Sequence, residues 1–393
     1  MSSIRLATYV IDKLKRNGYE AYFVGGCVRD HLLGLPINDI DITTSAVPYQ
    51  VLNLFRSEPT GVKYGTVTIT DERVNIEVTT FRTEEGYADF RRPETVEFTV
   101  DVLEDLKRRD FTINALIMDE NYKVYDYVDG LKDLKGKVIR AIGDANQRFS
   151  EDSLRLLRAI YFQAKLGFEI EENTLNSMKE NAHLLTHLPN ERVLDEFLKI
   201  LKSKHQVKAL KSLQASDLHK HIPGFENGIN FIVENIDYNL YNDTFFSLIF
   251  SLNKGVPREW KFSNYHFNKY QKVVKLVLDE QDVDDFVLYE YGLEISTLAN
   301  KILFILNKKP HQKIQIEKMF NELVIKSVTD LDVRGSDILK ITTKKQGAWL
   351  KNLLNELVKQ VLLRNLKNEH DELIKYCKEY LNEEWFLLLF RWL

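Results

Sequence analysis

Ala21-Tyr22-Phe23-Val24-Gly25-Gly26-Cys27-Val28-Arg29-Asp30-His31-Leu32-Leu33-Gly34, followed shortly by Asn38-Asp39-Ile40-Asp41-Ile42, decides the fold of the first third of the chain. The apolar opening reads as a strand, Gly25-Gly26 as a turn and the residues after it as a helix start. Glycines at such a turn let the backbone approach a phosphate, and amides at a helix start bind anions. Asp39 and Asp41 stand two apart, so on a strand their carboxylates face one side. Two carboxylates so placed repel each other unless a cation lies between them. An isolated Asp-x-Asp is most often a solvated edge strand. The Gly-Gly-x-Val-Arg-Asp element upstream makes this one a candidate metal site. A phosphate cradle beside a carboxylate pair fits nucleotidyl transfer, with magnesium as the natural cation.

The neighbouring segments extend an α/β head. Tyr64-Gly65-Thr66-Val67-Thr68-Ile69 and Val74-Asn75-Ile76-Glu77-Val78-Thr79-Thr80 are β-branched runs separated by a polar turn. Glu77, in mid-strand, is either a third catalytic carboxylate or an exposed strand residue. Residues 82–93 carry no strong helix or strand pattern and read as a loop. The apolar run 111–118 reads as a helix. It follows Arg108-Arg109-Asp110, a basic pair suited to a triphosphate or ribose, and it carries Asn114, which can reach a ribose hydroxyl.

Glu151-Asp152-Ser153-Leu154-Arg155-Leu156-Leu157-Arg158 bears a second kind of chemistry. Asp152 and Arg155 are three apart and share a helix face. The bland reading is an intrahelical ion pair. The functional reading is base selection. Cytosine and adenine both present an exocyclic amino donor beside a ring-nitrogen acceptor, which a carboxylate and a guanidinium match. Uracil and guanine reverse that polarity and would leave buried groups unpaired.

From about residue 149 onward, apolar residues recur at helical spacing, as at Leu154, Leu157, Ile160 and Tyr161, and at Leu350, Leu353, Leu354 and Leu357. Pro189, Pro223, Pro257 and Pro310 punctuate this helical part. The fold class expected is α+β: an α/β head with a mixed sheet, then helices only. The 393 residues, 44% of them hydrophobic, suffice for several cores. A net charge of −4 restricts any nucleic-acid surface to a local patch. The stretch 340–378 holds nine Lys or Arg against four acids and is one such candidate, the alternative being a solvated helix face. Two cysteines give neither a disulfide framework nor a zinc site. Without a signal pattern or a membrane-length apolar run, a cytoplasmic protein with no membrane partner is expected.

These motifs, in this order, resemble the class II CCA-adding enzymes, the tRNA nucleotidyltransferases of the polymerase-beta superfamily. Asn190-Glu191-Arg192-Val193 with Glu196 and Lys199 is similar to that family's neck motif, and the region after Ile325 is similar to the bacterial tails. The resemblance implies a catalytic nucleotidyltransferase head over 1–145 and a base-reading neck over 146–205. A helical body over 206–310 and a tRNA-binding tail over 311–393 would follow. It implies addition of C, C and A to the tRNA 3′ end from CTP and ATP, with release of pyrophosphate. Asp39 and Asp41 would hold magnesium, and Gly25, Gly26, Arg29, Arg109, Asp110 and Asn114 would meet the nucleotide. Asp152 and Arg155 would read the base, with Arg158 in support. Where relatives often carry a further arginine this chain has Tyr161. Lys344, Lys345, Lys351 and Arg364 would contact tRNA away from its acceptor end, toward the elbow. A homodimer is left open. Alternatives are a bacterial poly(A) polymerase, expected to have a more basic C-terminal region, and a CC-only enzyme, expected to lack part of the 82–93 loop.

Overall fold

A computed structural model describes residues 3–37, 39–71, 74–87 and 93–390. The quoted stretch folds as read. Helix α1 (Ser3–Arg16) precedes strand β1 (Ala21–Val24), the Gly25 turn, helix α2 (Gly26–Leu32) and strand β2 (Ile40–Thr44). Asp41 lies within β2, and Asp39 just before it. Helix α3 (Pro48–Leu54) leads to β3 (Ser57–Gly61), β4 (Thr66–Asp71) and β5 (Val74–Thr80). A separate antiparallel pair, β6 (Arg82–Tyr87) and β7 (Pro93–Phe98), and helix α4 (Val102–Lys107) come next. The sheet is completed by β8 (Ile117–Met118) and β9 (Val124–Tyr125) in the order β3-β4-β5-β2-β1-β8-β9. It is mixed: β2 runs parallel to β5, while β1 is antiparallel to β2 and to β8.

Register does what a period of two requires. Phe23, Ile42, Val78 and Val67 are successive cross-strand partners and all are buried. Asp41 pairs with Glu77, which pairs with Thr68, so these side chains share the other face. Helix α1 lies against β1, β2 and β5 and buries Leu6, Ala7, Val10, Ile11 and Leu14, a helical stripe.

Two expectations are corrected. The run 111–118 is not a helix but a 3-10 turn, Thr112–Asn114, leading into β8. A mostly apolar run of that length, interrupted only by Thr112 and Asn114, does not distinguish buried strand from helix. Residues 82–87 are strand β6 rather than loop, their ladder hydrogen bonds supplied by β7. The middle of that expected loop, Ala88 to Arg92, lies outside the described residues.

After α5 (Gly130–Gly136) and β10 (Val138–Ile139), α6 (Ala145–Glu151) and α7 (Leu154–Leu166) begin the helical part. Strand β11 (Glu169–Ile170) pairs with β10, and α8 (Glu172–Glu180), α9 (Asn190–Leu201), α10 (Gln206–Ala215) and α11 (Glu226–Asn235) follow. Helix α7 is the spine of this region: α9 and α10 both pack on it. Residues 1–242 with 257–261 form one compact unit, and 243–256 with 262–393 form another.

The second unit is helical throughout its described residues. It holds α12 (Asn242–Leu252), α13 (Asn264–Leu278), α14 (Asp285–Ile305), α15 (Lys313–Asn321), α16 (Gly335–Lys340), α17 (Ala348–Leu362) and α18 (His370–Phe390). Phe245, Phe246 and Phe250 are buried on α12, and Phe246 and Phe250 stack with Phe262 and Tyr270. A second core gathers Leu288, Ile316, Ile338, Leu353, Leu357, Leu373 and Cys377. Among the described residues, no helix is long and apolar enough to cross a membrane.

Candidate active site

The site is built where the glycine turn, the end of α4 and the start of α7 converge in the first unit. Gly25 has φ +77°, a backbone state that side chains other than glycine rarely adopt. A Cβ there would stand 3.5 Å from an Arg109 nitrogen and 3.8 Å from an Asp41 carboxylate oxygen. The turn thus brings backbone, carboxylate and guanidinium together. A cavity of about 330 Å³ opens between them. Gly25, Gly26, Arg29, Asp41, Arg108, Arg109, Asp110, Asn114, Asp152, Arg155, Arg158, Tyr161, Phe162 and Lys165 line it. Six of these side chains are basic and three are carboxylates, which suits a polyanionic guest.

A chain of ion pairs holds the walls. Arg158 donates to Asp110 from Nε (2.7 Å) and a terminal nitrogen (2.6 Å). Asp110 also accepts from the Asn114 amide (3.1 Å) and from the Phe111 N–H (2.8 Å). Asn114 accepts from Arg29, and Arg29 donates to Asp30 (2.8 Å). Asp30 accepts from Lys165 (2.8 Å), which returns the chain to α7. Phe162 is flanked by the guanidiniums of Arg29 and Arg158, 5.1 and 5.2 Å from its ring centre. Burial alone would raise the Asp110 carboxyl, but Arg158 and the Asn114 amide hold it below the ordinary carboxylate range.

A second clamp sets the arginine pair. Asp105, fully buried on α4, binds Arg108 (2.6 Å) and Arg109 (3.1 Å) just past the end of that helix and also accepts from Thr43 (3.1 Å). Burial would raise its carboxyl, yet the two guanidiniums hold it low. Arg108 further pairs with Glu84 of β6 (3.0 Å). Arg109 keeps its Nε buried with no hydrogen-bond partner among the described residues. A buried donor without a partner is uncommon and calls for an acceptor such as a phosphate oxygen.

Asp41 and Asp152 behave oppositely to Asp105 and Asp110. Burial drives the Asp41 carboxyl up, Arg109 opposes, and the charges of Glu77 and Asp39 push it further. Burial also raises Asp152, and Arg155, the Leu154 amide, Arg192 and Arg158 only partly offset it. Among the described residues no cluster of three or more Asp, Glu, His or Cys is arranged to hold a metal. The mutual repulsion at Asp41 fits a cation bound by one or two carboxylates and completed by substrate phosphates.

Comparison with known proteins gives the family. Residues 21–140 match the family described as the Poly A polymerase head domain, and residues 244–377 match tRNA nucleotidyltransferase domain 2. A CCA-adding enzyme of Ligilactobacillus salivarius is 38% identical over 392 residues, covering 95% of this chain and 96% of that protein. The chain belongs to the CCA-adding enzymes. One from Bacillus cytotoxicus is 36% identical over 96% of this chain and 99% of its own length. The crystal structure of the Bacillus stearothermophilus CCA-adding enzyme in complex with CTP superposes with a TM-score of 0.81 at 30% identity. That match covers 98% of this chain and 99% of the other. The chain is thus a nucleotidyltransferase. The curated relatives are named CCA-adding enzymes, so neither the poly(A) polymerase nor the CC-only alternative is favoured. Membership of a nucleotidyltransferase family implies a divalent-metal requirement in general terms.

All the residues expected to meet nucleotide come together in the cavity, but not all in the same layer. Arg29 is buried with its guanidinium spent on Asp30 and Asn114, so it supports the wall. Glu77 is exposed beside Asp41, its cross-strand partner. Asp39 is exposed too and does not line this cavity. Arg155 pairs with Glu151 (2.8 Å) and with the carbonyls of Arg148 and Arg108 (2.9 and 2.7 Å), rather than with Asp152. Tyr161 stands at the cavity wall with the Lys199 ammonium 5.8 Å from its ring centre, so a cation approaches this position from α9. Lys344, Lys345, Lys351 and Arg364 all belong to the second unit. Arg364 is 4.0 Å from Asp285, and Lys344 lies over Trp349. The sequence reading passed over Asp105, Glu151 and Lys165. The spacings Asp105 to Arg108 and Arg109, and Glu151 to Arg155, are helical i to i+3 or i+4 pairs and carried the signal. Nothing local to Lys165 announced its pairing with Asp30, 135 residues away.

The contrast between the two kinds of carboxylate yields a pH test. For Asp110 the folded pKa is lowered, so its stabilisation is present above the ordinary carboxylate value and lost as pH falls. Asp110→Asn leaves Arg158 without its counter-charge and costs about 3–5 kcal/mol near pH 8. For Asp152 the folded pKa is raised, so the charged form is penalised above that value and the penalty fades at lower pH. Asp152→Asn can keep the Leu154 N–H bond and therefore melts at or above the parent at pH 8, with the difference shrinking toward pH 4. Calorimetric midpoints across that range check both signs, and a destabilised Asp152→Asn would contradict the assignment.

Proposed function

We propose that this chain adds C, C and A in turn to the 3′ end of tRNA, using CTP and ATP and no template. The observation that carries the reading is the single cavity in which Asp41 and Arg109 meet Asp152 and Arg155. It joins phosphate and base recognition within one nucleotide's length. The CTP complex of the Bacillus stearothermophilus relative supports it. The primer's 3′ hydroxyl oxygen bonds to the α-phosphorus of the incoming nucleotide, the bond to the β-phosphate's bridging oxygen breaks, and pyrophosphate leaves as the hydroxyl proton is lost.

Arg109, with its unpartnered Nε, and Arg108 grip the triphosphate. Asn114, already oriented by Asp110, faces the sugar. Asp39 and Asp41 would hold magnesium, which supplies positive charge to the phosphates and acidifies the attacking hydroxyl when bound. Glu77 adds a third negative charge next to Asp41 and keeps it attractive to a cation. Asp152 accepts from the exocyclic amino group of C or A, and Arg155 donates to the ring nitrogen. Glu151 and two backbone carbonyls fix the Arg155 guanidinium, so the base adapts to the protein and not the reverse. The head, neck, body and tail intervals 1–145, 146–205, 206–310 and 311–393 divide the labour, with Lys344, Lys345, Lys351 and Arg364 toward the tRNA elbow.

The pocket must pass from a pyrimidine to a purine, and the β6–β7 pair is the element placed to adjust it. Glu84 binds both Arg82 (2.7 Å) and Arg108 (3.0 Å), and the Arg108 carbonyl accepts from Arg155. A shift of β6 is thereby passed in two contacts to the base-reading guanidinium.

Asp39→Ala and Asp41→Ala each remove addition of both C and A, by ~10²-fold or more, while the protein stays folded. Labelled-nucleotide incorporation into tRNA measures it, and near-normal metal-dependent incorporation in either variant defeats the catalytic assignment. Asp152→Ala and Arg155→Ala raise U and G incorporation relative to C and A. Sequencing of product ends reads this, and a slow but equally selective Asp152→Ala enzyme argues against base reading here. Deleting residues 84–93 spares the two C additions and blocks the terminal A. Product lengths with CTP alone and with CTP plus ATP decide it. Completion of CCA at the parental rate removes this element from the switch.

A further inference from the structure

A second cavity, of about 500 Å³, adjoins the nucleotide cavity and shares Gly26, Arg29, Asp41, Tyr161 and Lys165 with it. Its remaining walls differ in kind. The base-reading pair Asp152 and Arg155 is absent from them, Asp39 is present, and Lys199, Lys202 and Lys204 stand across from it. Asp41 therefore lies where the two compartments meet, with Asp39 on the side of the second. One compartment is equipped with planar, forked guanidiniums and a base reader. The other is equipped with ammonium groups. We infer that Lys202 and Lys204 hold the backbone phosphates at the 3′ end of the RNA primer and so present its terminal hydroxyl to the aspartate pair. This rests on the tRNA-extending function proposed above.

The chemistry of the lysines fits that guest better than a second triphosphate. Ammonium groups act as point charges and impose no bidentate geometry. They bind phosphates regardless of the base attached. The proposed reaction needs that indifference. The same compartment has to accept an end without C, then one ending in C, then one ending in CC. A base-specific grip would fail at two of the three steps.

The turn that carries the lysines is fixed rather than loose. The His205 N–H donates to the Ala164 carbonyl (2.8 Å), tying the turn to α7. The Asn239 amide donates to the carbonyls of Ser203 and Lys204 (both 3.2 Å). The Gln206 amide donates to the Leu201 and Leu240 carbonyls (both 2.9 Å). Gly167 lets the His205 ring come so near that a Cβ there would stand 2.9 Å from it. Lys199 is engaged by Glu196 (2.8 Å) and Lys165 by Asp30 (2.8 Å). Lys202 and Lys204 are exposed and form no ion pair among the described residues. Burial first, then the charges of Lys204 and Lys208, lower the His205 pKa. Five protein hydrogen bonds hold this turn while the two ammonium groups remain available to a ligand.

Two measurements on the full chain test the inference. In the first, surface acylation of the unmutated protein is followed by mass spectrometry with no ligand, with CTP, and with a short single-stranded RNA ending in CC. The RNA slows labelling of Lys202 and Lys204, and CTP alone does not. Equal labelling with and without RNA overturns the inference, as does protection by CTP alone. In the second, Lys202→Gln with Lys204→Gln raises KM for that RNA and leaves KM for CTP at the parental value. The slope of log affinity against log salt falls by about 1.4, at about 0.7 per single-strand phosphate contact. Lys202→Arg with Lys204→Arg restores both. An unchanged RNA KM and salt slope, or a rise confined to CTP, overturns the inference. The parent's own extension of tRNA is scored in the same experiment. No extension by the parent defeats the proposed function, whereas extension without lysine protection defeats this inference alone.

Discussion

The carboxylate of Asp110 ties the catalytic sheet to α7, the helix that carries Arg155 of the proposed base reader. It sits at the middle of a closed circuit that leaves α7 at Arg158, passes through Asp110, Asn114, Arg29 and Asp30, and re-enters α7 at Lys165. Arg158 and Lys165 are seven residues apart, two helical turns, so they emerge from one face of α7. Two points of attachment along a helix fix both its position and its rotation. Arg155, in the first turn of the same helix, and Asp152, two residues before that helix begins, are thereby held over a cavity whose other wall is the glycine turn. Base selection without a template requires that rigidity, because a donor and an acceptor that could rotate would accept either polarity of base edge.

The circuit also explains an unequal use of arginines. Arg29 and Arg158 are engaged by carboxylates and by the Phe162 ring, so they act as framework. Arg108 and Arg109 are fixed from behind by Asp105, which leaves the front of Arg109 to a ligand. A buried carboxylate is stable as a charge where guanidiniums and N–H donors surround it, as two guanidiniums do at Asp105 and as Arg158, the Asn114 amide and the Phe111 N–H do at Asp110, and so both stay ionised and structural. Asp41 and Asp152 lack such partners and carry a standing electrostatic cost. That cost falls when a cation reaches Asp41 or an amino group reaches Asp152. The site is poorly satisfied where it binds and well satisfied where it is built.

Much of this was available before any coordinates. Glycines that need a positive φ, an alternating apolar strand and a same-face aspartate pair are short-range signals, and β1, α2 and β2 follow them. Motif order carried the family. The errors have physical causes. Residues 111–118 are buried throughout, Thr112 and Asn114 included, and periodicity is silent where every position is buried. Residues 82–87 look like loop because both faces of β6 are polar and its order comes from a partner strand. Arg155 has an acid at i−3 and another at i−4, and only the fold shows that Glu151 takes it and leaves Asp152 to the cavity. Lys165 and Asp30 meet across 135 residues, which no local pattern encodes.

The arrangement of the two cavities follows from the same division between fixed and unsatisfied charge. Asp41 belongs to both, with Asp39 on one side only and the Asp152–Arg155 reader on the other. A polymerase with a template can let the template choose the base and let the primer slide past a fixed catalytic centre. Here the choosing residues belong to the protein, so the centre, the reader and the primer's approach all have to be fixed relative to one another. Helix α7 touches all three parts: its first turn carries Arg155 of the proposed reader, its middle binds Asp110, and its last turn accepts the His205 N–H that pins the lysine turn. A single thirteen-residue helix thereby sets the distance between the proposed base reader and the lysine turn. Within this unit, a change in the rotation of α7 would alter base choice and primer placement together.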